Sequence, residues 1–570
     1  MSDGRTLAPQ RPELVTEGPP PTRPRWLEIA MSADHKDVGR LYIGGALSFL
    51  VLGMVGFLLI RLQLGVPEND FIPPVTFNRL LTVESATLIV LFTLPFAFGL
   101  FTYVVPLQIG ARSLAFPRLA SFSVWLYLFG GSLLYASFAY TPPETGFNNW
   151  PPLSDVIFIE SNGPDVWITA VGLTVLGLVL QSINLAVTIA KLRAPGLAWR
   201  RLPTFSFSAA VSSWTMIIAG SAMLAALVMM EMDRHFSGVF FDPGEGGAPI
   251  YYQHLSWIFF TGCYLVFLLP PIGAISEILP VFSRKPLLSR GALIASMAAI
   301  LPLGLLAWMQ NMYSASIPIG WLYAAMLMAL LLVIPIGGVF VNWIGTIAGG
   351  VIRMRAPMVF ALAAISTLSF GLVLELMQSV IPVGWELADT TASTAASGYV
   401  LVGGPVLGGF AALSYWFPKI TGRTMGEGLA NSSAALIVLG AHLTFIPLFL
   451  AGLEGQQVDI FKFYEASDAS NAMHLDAYNL IATIGGFVLS LGIVLSIANA
   501  YSSVTRGTRT GHDPWEGETL EWFATSPPPP HNFDVVPDVR SDEPLRDIRE
   551  AIRGRESSRS EPAKAEEPVA

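Results

Sequence analysis

The sequence predicts an all-α membrane protein, a bundle of twelve transmembrane helices, and three observations predict it. Hydrophobic residues make up 53% of the 570 and charged residues only 13%, with a positive mean hydropathy, a balance outside the range of soluble domains. Apolar stretches of about 20 residues or more recur along the chain, long enough to cross roughly 30 Å of hydrocarbon as helices. Lysine and arginine gather in alternate loops, the asymmetry that sets membrane orientation.

In chain order the spans fall at 41–63, 82–107, 119–142, 165–192, 207–231, 251–281, 290–315, 319–343, 357–382, 393–417, 432–453 and 476–502. With the N-terminus inside, the inner loops carry Arg112 and Arg118, then Lys191, Arg193, Arg200 and Arg201, then Arg284 and Lys285. Further along come Arg353 and Arg355, Lys419 and Arg423, and finally Arg506 and Arg509. The outer loops are acidic by contrast, with Glu144, Asp155, Glu160 and Asp165 in one and Glu454, Asp459, Glu465 and Asp468 in another. Both termini are therefore expected on the cytoplasmic side of a prokaryotic cell membrane. The net charge of −9 adds little, because much of it sits in the outer loops and the tail. Membrane lipid is the expected surrounding, and no nucleic-acid partner is expected.

Residues 1–24 are proline-rich and charged, without the apolar stretch of a signal peptide, and are expected to form a disordered tail ahead of a membrane domain at 25–505. The segment 506–540 keeps aromatic and proline anchors (Trp515, Trp522, Pro527 to Pro530, Phe533) and is expected to lie over the cytoplasmic face. Residues 541–570 are rich in Glu, Arg, Ser and Ala and are expected to be disordered. The single cysteine, Cys263, excludes an internal disulfide and a cysteine-based zinc site.

Six strings then carry a resemblance: DHKDVGRLYI at 34–43, VVPLQIGARSLAFPRL at 104–119, DRHFSGVFFDPGEGGAPIYYQHLSWIFF at 233–260, ISEILPVFSRKPL at 275–287, YWFPKITGR at 415–423 and GHDPWEGETLEWFATSPPPPHNF at 511–533. In order and spacing they resemble subunit I of the haem-copper terminal oxidases, the cytochrome c oxidase subunit I family, as a degenerate paralogue. The resemblance implies two haems held by histidines on the second and tenth helices and a copper held by histidines on the sixth and seventh. The second-helix position falls on Glu84, and the tenth-helix His-Phe-His-Tyr pattern reads Ala396, Ser397, Gly398 and Tyr399. The sixth-helix His-Pro-Glu-Val-Tyr string reads Thr261, Gly262, Cys263, Tyr264 and Leu265, and the seventh-helix histidine pair reads Gln310 and Asn311. Tyr264 stands one place off the family's tyrosine, rotated about 100°, and is not read as a displaced version of it. Haem iron takes imidazole in this family, and amides are poor copper ligands beside it.

The seven histidines, His35, His235, His254, His442, His474, His512 and His531, include no pair at i, i+3 or i, i+4 and are read as structural. The eighth-helix lysine of proton delivery aligns with Val339, the aspartate of the other proton route with Ser113, and the Arg-Arg pair at the haem propionates with Gln456 and Gln457. On this reading the chain carries neither haem nor copper and has no catalytic residue. Glu84 and Glu375 are ionisable groups inside spans, where such groups are costly and often functional. With Thr261, Cys263, Gln310 and Asn311 they form a possible polar pocket.

Three functions follow. The first is a non-catalytic structural or assembly subunit of a respiratory membrane complex, with subunit II- or III-like partners. The second is a channel, carrier or ligand-binding protein that uses the vacated haem cavity. The third is a conventional terminal oxidase subunit, transferring electrons to oxygen with proton pumping.

Overall fold

The structure, a computed structural model, describes residues 25–313, 315, 317–463 and 474–550. The tail expected at 1–24, residues 551–570 of the tail expected at 541–570, and Glu465 and Asp468 lie outside the described residues. Among these residues twelve helices are long and apolar enough to cross a membrane: His35–Gln63, Pro74–Gln108, Pro117–Ala139, Gly163–Lys191, Thr204–His235, Ile250–Ser283, Arg290–Met312, Ile319–Ile347, Ala356–Gln378, Thr391–Thr421, Glu427–Leu453 and Leu475–Arg506. They correspond one for one with the apolar spans, and are called the first to twelfth helices below. No strand forms among the described residues.

Helix ends differ from the apolar runs where polar residues continue a helix. The first helix begins at His35 rather than 41 because the Asp34 side chain caps it, accepting the Lys36 N–H at 3.0 Å. The second begins at Pro74 rather than 82, where a proline ring suits the first turn. Hydropathy marks the stretch that lies in hydrocarbon; capping decides where a helix starts.

The second, sixth and tenth helices are the most buried and form the centre of the bundle, while the seventh and eighth are the least buried. Prolines shape the centre. Pro95 has no N–H for the Leu91 carbonyl, and the second helix widens there into a π-helical stretch at Thr87–Thr93, while the Tyr127 hydroxyl donates to Leu91 O at 2.9 Å. The tenth helix has a similar stretch at Val402–Gly408 around Pro405. The eighth helix loses one rung of its hydrogen-bond ladder at Leu332, between Ile319–Leu331 and Val333–Ile347 and just ahead of Pro335, while the Leu332 backbone stays helical.

At one end of the bundle the C-terminal segment is tied in by buried polar groups. The buried His35 ring meets Thr102 O at 3.0 Å through Nδ1 and the Asn532 amide nitrogen at 2.9 Å through Nε2, and Lys36 donates to Pro530 O at 3.1 Å. The Trp515 indole donates to Tyr415 O at 2.9 Å, and the Trp522 indole to the Tyr415 hydroxyl at 3.2 Å. The expected disorder from 541 is corrected for 541–550. Leu545 is buried and its N–H donates to Glu518 O at 3.2 Å, and Arg549 pairs with Asp513. Two buried apolar residues, Pro544 and Leu545, and an ion pair hold a stretch whose composition reads as loose.

Candidate functional site

The sixth helix builds one wall of a cavity of about 310 Å³. Thr261, Tyr264, Leu265 and Leu268 line it, and their spacing of three, four and seven residues places them on one helical face. The opposite wall comes from the eighth helix around that lost rung, through Ala329, Leu332, Val333 and Ile336. Gln310 and Asn311 enter from the 3₁₀ turn Trp308–Met312 that closes the seventh helix. Glu375 and Ser379 enter from the end of the ninth. Val333 and Val373, also in the lining, are 44% and 57% exposed, so the cavity reaches the outer flank of this chain's bundle.

Its polar groups form two short chains. Tyr264 donates its hydroxyl to Ser397 Oγ, and Ser397 donates to Glu375 Oε1 at 3.3 Å. Ser379 Oγ lies 3.4 Å from Gln310 Oε1 and 2.9 Å from Glu375 O. Thr261 Oγ1 is buried and has no hydrogen-bond partner. Four of the six residues expected in a polar pocket, Thr261, Gln310, Asn311 and Glu375, therefore share one cavity. Sequence reasoning passed over Tyr264, Ser397 and Ser379. The signal for Tyr264 was its place one turn after Thr261, and Ser379 stands one turn after Glu375.

The other two lie elsewhere. Cys263, two residues past Thr261 and so about 200° around the helix, is buried in the apolar core. Glu84 packs against the first helix, where a Cβ placed on Gly56 would stand 3.2 Å from its own Cβ, and its carboxylate accepts from Ser85 Oγ at 3.2 Å. Ala396 is fully buried. Gly398 is closed off by the Phe445 ring of the eleventh helix, which would collide with any Cβ there. The neighbouring Tyr399 hydroxyl meets His442 Nδ1 at 2.8 Å.

Between the second, sixth and tenth helices the interior is filled. Gly404 and Gly408, a small-xxx-small pair of the kind that lets membrane helices approach closely, admit the Phe267 backbone carbonyl and the Pro271 ring, and Gly409 admits the Phe96 ring. A cavity of about 20 Å³ remains there. Gln456 and Asn479 exchange amide hydrogen bonds at 2.7 and 3.3 Å, and Arg61 donates to Asn479 Oδ1 at 3.1 Å. Val339 is buried in the core.

The model of the family "Cytochrome C and Quinol oxidase polypeptide I" matches residues 37–488. The chain belongs to this family. Cytochrome c oxidase subunit 1 of Corynebacterium efficiens is 36% identical over 547 residues, covering 95% of this chain and 92% of the relative. The heme-copper oxidase subunit I+III of Aeropyrum pernix is 34% identical over 520 residues, covering 91% of this chain and 62% of that longer protein. A solved heme-copper terminal oxidase, a dimer seen by cryo-EM, shares the fold with a TM-score of 0.71 at 14% identity, covering 91% of this chain and 89% of that one. This cytochrome c oxidase subunit I-like chain is thus a multi-pass membrane protein of a family that works in respiratory oxidase complexes beside other subunits.

That membership corrects one expectation. The sequence reading assigned no cofactor, but the family is one that carries haem and copper, its members here are named as oxidases, and no comparison shows that this chain has lost either group. At the positions that the resemblance assigns to haem ligands, Ala396 and Gly398 carry no side-chain donor, the Phe445 ring occupies the face of Gly398, and Glu84 turns toward the first helix. No chemical step below is derived through iron or copper.

Proposed function

We propose that this subunit I-like chain is a structural or assembly subunit of a respiratory membrane complex and does not itself reduce oxygen. The reading rests on the tenth helix, where Ala396 and Gly398 stand at the two positions that the resemblance assigns to haem ligands, and where the Phe445 ring closes the face of Gly398. Reduction of oxygen in this family needs donors at both. The folded end that carries His35, Asn532 and Trp522 supports a retained scaffold. The Aeropyrum relative, in which subunits I and III are one protein, supports a subunit III-like neighbour for this chain, alongside a subunit II-like one.

The names of the relatives favour a second reading, a conventional terminal oxidase subunit I that passes electrons to oxygen with proton pumping. One experiment separates them. The chain is purified with its co-purifying subunits from a strain deleted for its other terminal oxidases, and oxygen uptake is followed with reduced cytochrome c and with quinol. The first reading expects oxidase-like subunits to co-purify and uptake to stay at the detergent blank. Cyanide-sensitive uptake would establish the second reading instead, and a chain isolated alone would remove the structural role.

A further inference from the structure

Where the fifth helix ends beside the start of the fourth, three side chains bring donor atoms together. Asp165 stands in the first turn of the fourth helix, Gly163–Lys191, and Glu231 and His235 stand at the end of the fifth, Thr204–His235. Glu231 and His235 are four residues apart and so share one helical face. One donor atom from each of the three lies within 4.8 Å of the other two. None of these residues is at a position that the resemblance assigns to haem, copper or proton delivery.

Ion pairing within the protein accounts for only one of the two carboxylates. Arg234 donates from Nε to Asp165 Oδ1 at 2.7 Å and from Nη2 to Asp165 Oδ2 at 3.1 Å, and it is held in place by further bonds to Ser154 O and Ser161 O. Glu231 has no such cation. Its Oε1 lies 3.9 Å from His235 Nε2, the same ring nitrogen that stands 2.9 Å from Asp165 Oδ1. An imidazole nitrogen carries at most one proton, and at these distances that proton serves Asp165. Glu231 Oε2 is shut off from solvent and nothing donates to it. Two carboxylates aimed at one nitrogen repel each other unless positive charge stands between them.

A metal ion suits the spacing. Zinc binds imidazole nitrogen and carboxylate oxygen at about 2.0–2.2 Å, which sets neighbouring donors of a tetrahedron about 3.3–3.6 Å apart. The 2.9 and 3.9 Å separations straddle that value, and Glu231 and His235, with side chains 38% and 43% exposed, have room to turn and close the difference. The same exposure lets an ion enter from water and leaves a position for a water ligand. Arg234 offsets the charge of Asp165 while that of Glu231 remains, and the C-terminal end of a helix favours a cation. Imidazole is a ligand for zinc, whereas calcium and magnesium take oxygen.

We propose that Asp165, Glu231 and His235 form a divalent-cation site of the zinc class that fastens the end of the fifth helix to the start of the fourth. The metal takes the place of the proton on His235 Nε2, and water completes its coordination.

The test uses the full chain in detergent with any co-purifying subunits, treated with EDTA and then titrated with zinc by equilibrium dialysis, with calcium in parallel. X-ray absorption at the zinc edge reads the ligands. One zinc per chain is expected, with one imidazole, oxygen otherwise and no sulfur. His235→Ala is expected to weaken its binding about a hundredfold and Glu231→Gln about tenfold, while Glu231→His, which sets two imidazoles four residues apart, is expected to strengthen it about tenfold. Melting temperature without zinc is the folding control, and Asp165 is left alone because its loss would also free Arg234. No zinc uptake, uptake that either His235→Ala or Glu231→Gln leaves unchanged in a folded protein, or calcium held more tightly than zinc would overturn the proposal.

Discussion

At Gly398 and Gly337 the same residue type answers opposite demands. A side chain at Gly398 meets the Phe445 ring, while one at Gly337 meets open space. Alanine gains up to about 1 kcal/mol over glycine inside a helix, but overpacking a buried contact costs about 1–3 kcal/mol. Packing therefore wins at Gly398 and helix propensity at Gly337. Gly398→Ala is expected to lose about 1–2 kcal/mol of stability in denaturant unfolding of the detergent-solubilised chain, and adding Phe445→Leu is expected to recover part of it, because the two residues share one contact. Gly337→Ala is expected to be neutral or stabilising. A stabilised Gly398→Ala would show that the ring moves aside freely.

Among the elements, the eighth helix shows how one residue opens a site. Pro335 has no N–H to offer the Leu331 carbonyl, and its ring crowds the turn before it. The ladder loses a rung beside Leu332, which lines the cavity. Pro335→Ala is expected to restore that hydrogen bond, slowing hydrogen exchange across 331–337 and tightening the space beside Thr261. Unchanged exchange there would mean that neighbouring helices, and not the proline, hold the rung open. The spans were legible in the sequence because hydrophobicity over a fixed thickness is a property of each segment alone. The cavity was legible only in part: Thr261, Gln310 and Asn311 came from the resemblance and Glu375 from its charge within a span. Tyr264, Ser397 and Ser379 join them only through the way three helices meet.

For the whole molecule, the C-terminal segment is the part whose attachment responds to pH. Burial pushes the Glu518 carboxyl up to about 7 from an ordinary 4.5, and the nearby Glu543 carboxylate adds to it. Burial also raises Glu521, which accepts from the Gln108 amide and the Trp416 indole, each at 3.1 Å, and has its other oxygen buried without a partner. Between about 4.5 and 7 a docked Glu518 holds a proton that a released one has lost, so its own contribution to docking is present below that window and is lost as pH rises through it. Relative to Glu518→Gln, limited proteolysis within 511–550 is accordingly expected to speed up from pH 5 to pH 8. A relative rate that falls with rising pH would contradict the assigned direction.

By itself the sequence determined the class of protein, the twelve spans and the family, since each rests on composition or on short strings that hold their meaning without neighbours. It also showed that Glu84 and Glu375 lie within spans, but it gave the two equal standing as pocket residues. Only the tertiary structure separated them. Glu84 is packed against Gly56 of the first helix, and Glu375 faces a cavity that reaches the outer flank of the bundle. The physical reason is rotation. Hydropathy tells that a residue lies in a helix within the membrane, but the direction its side chain takes depends on which helix lies alongside and how closely glycines let it approach.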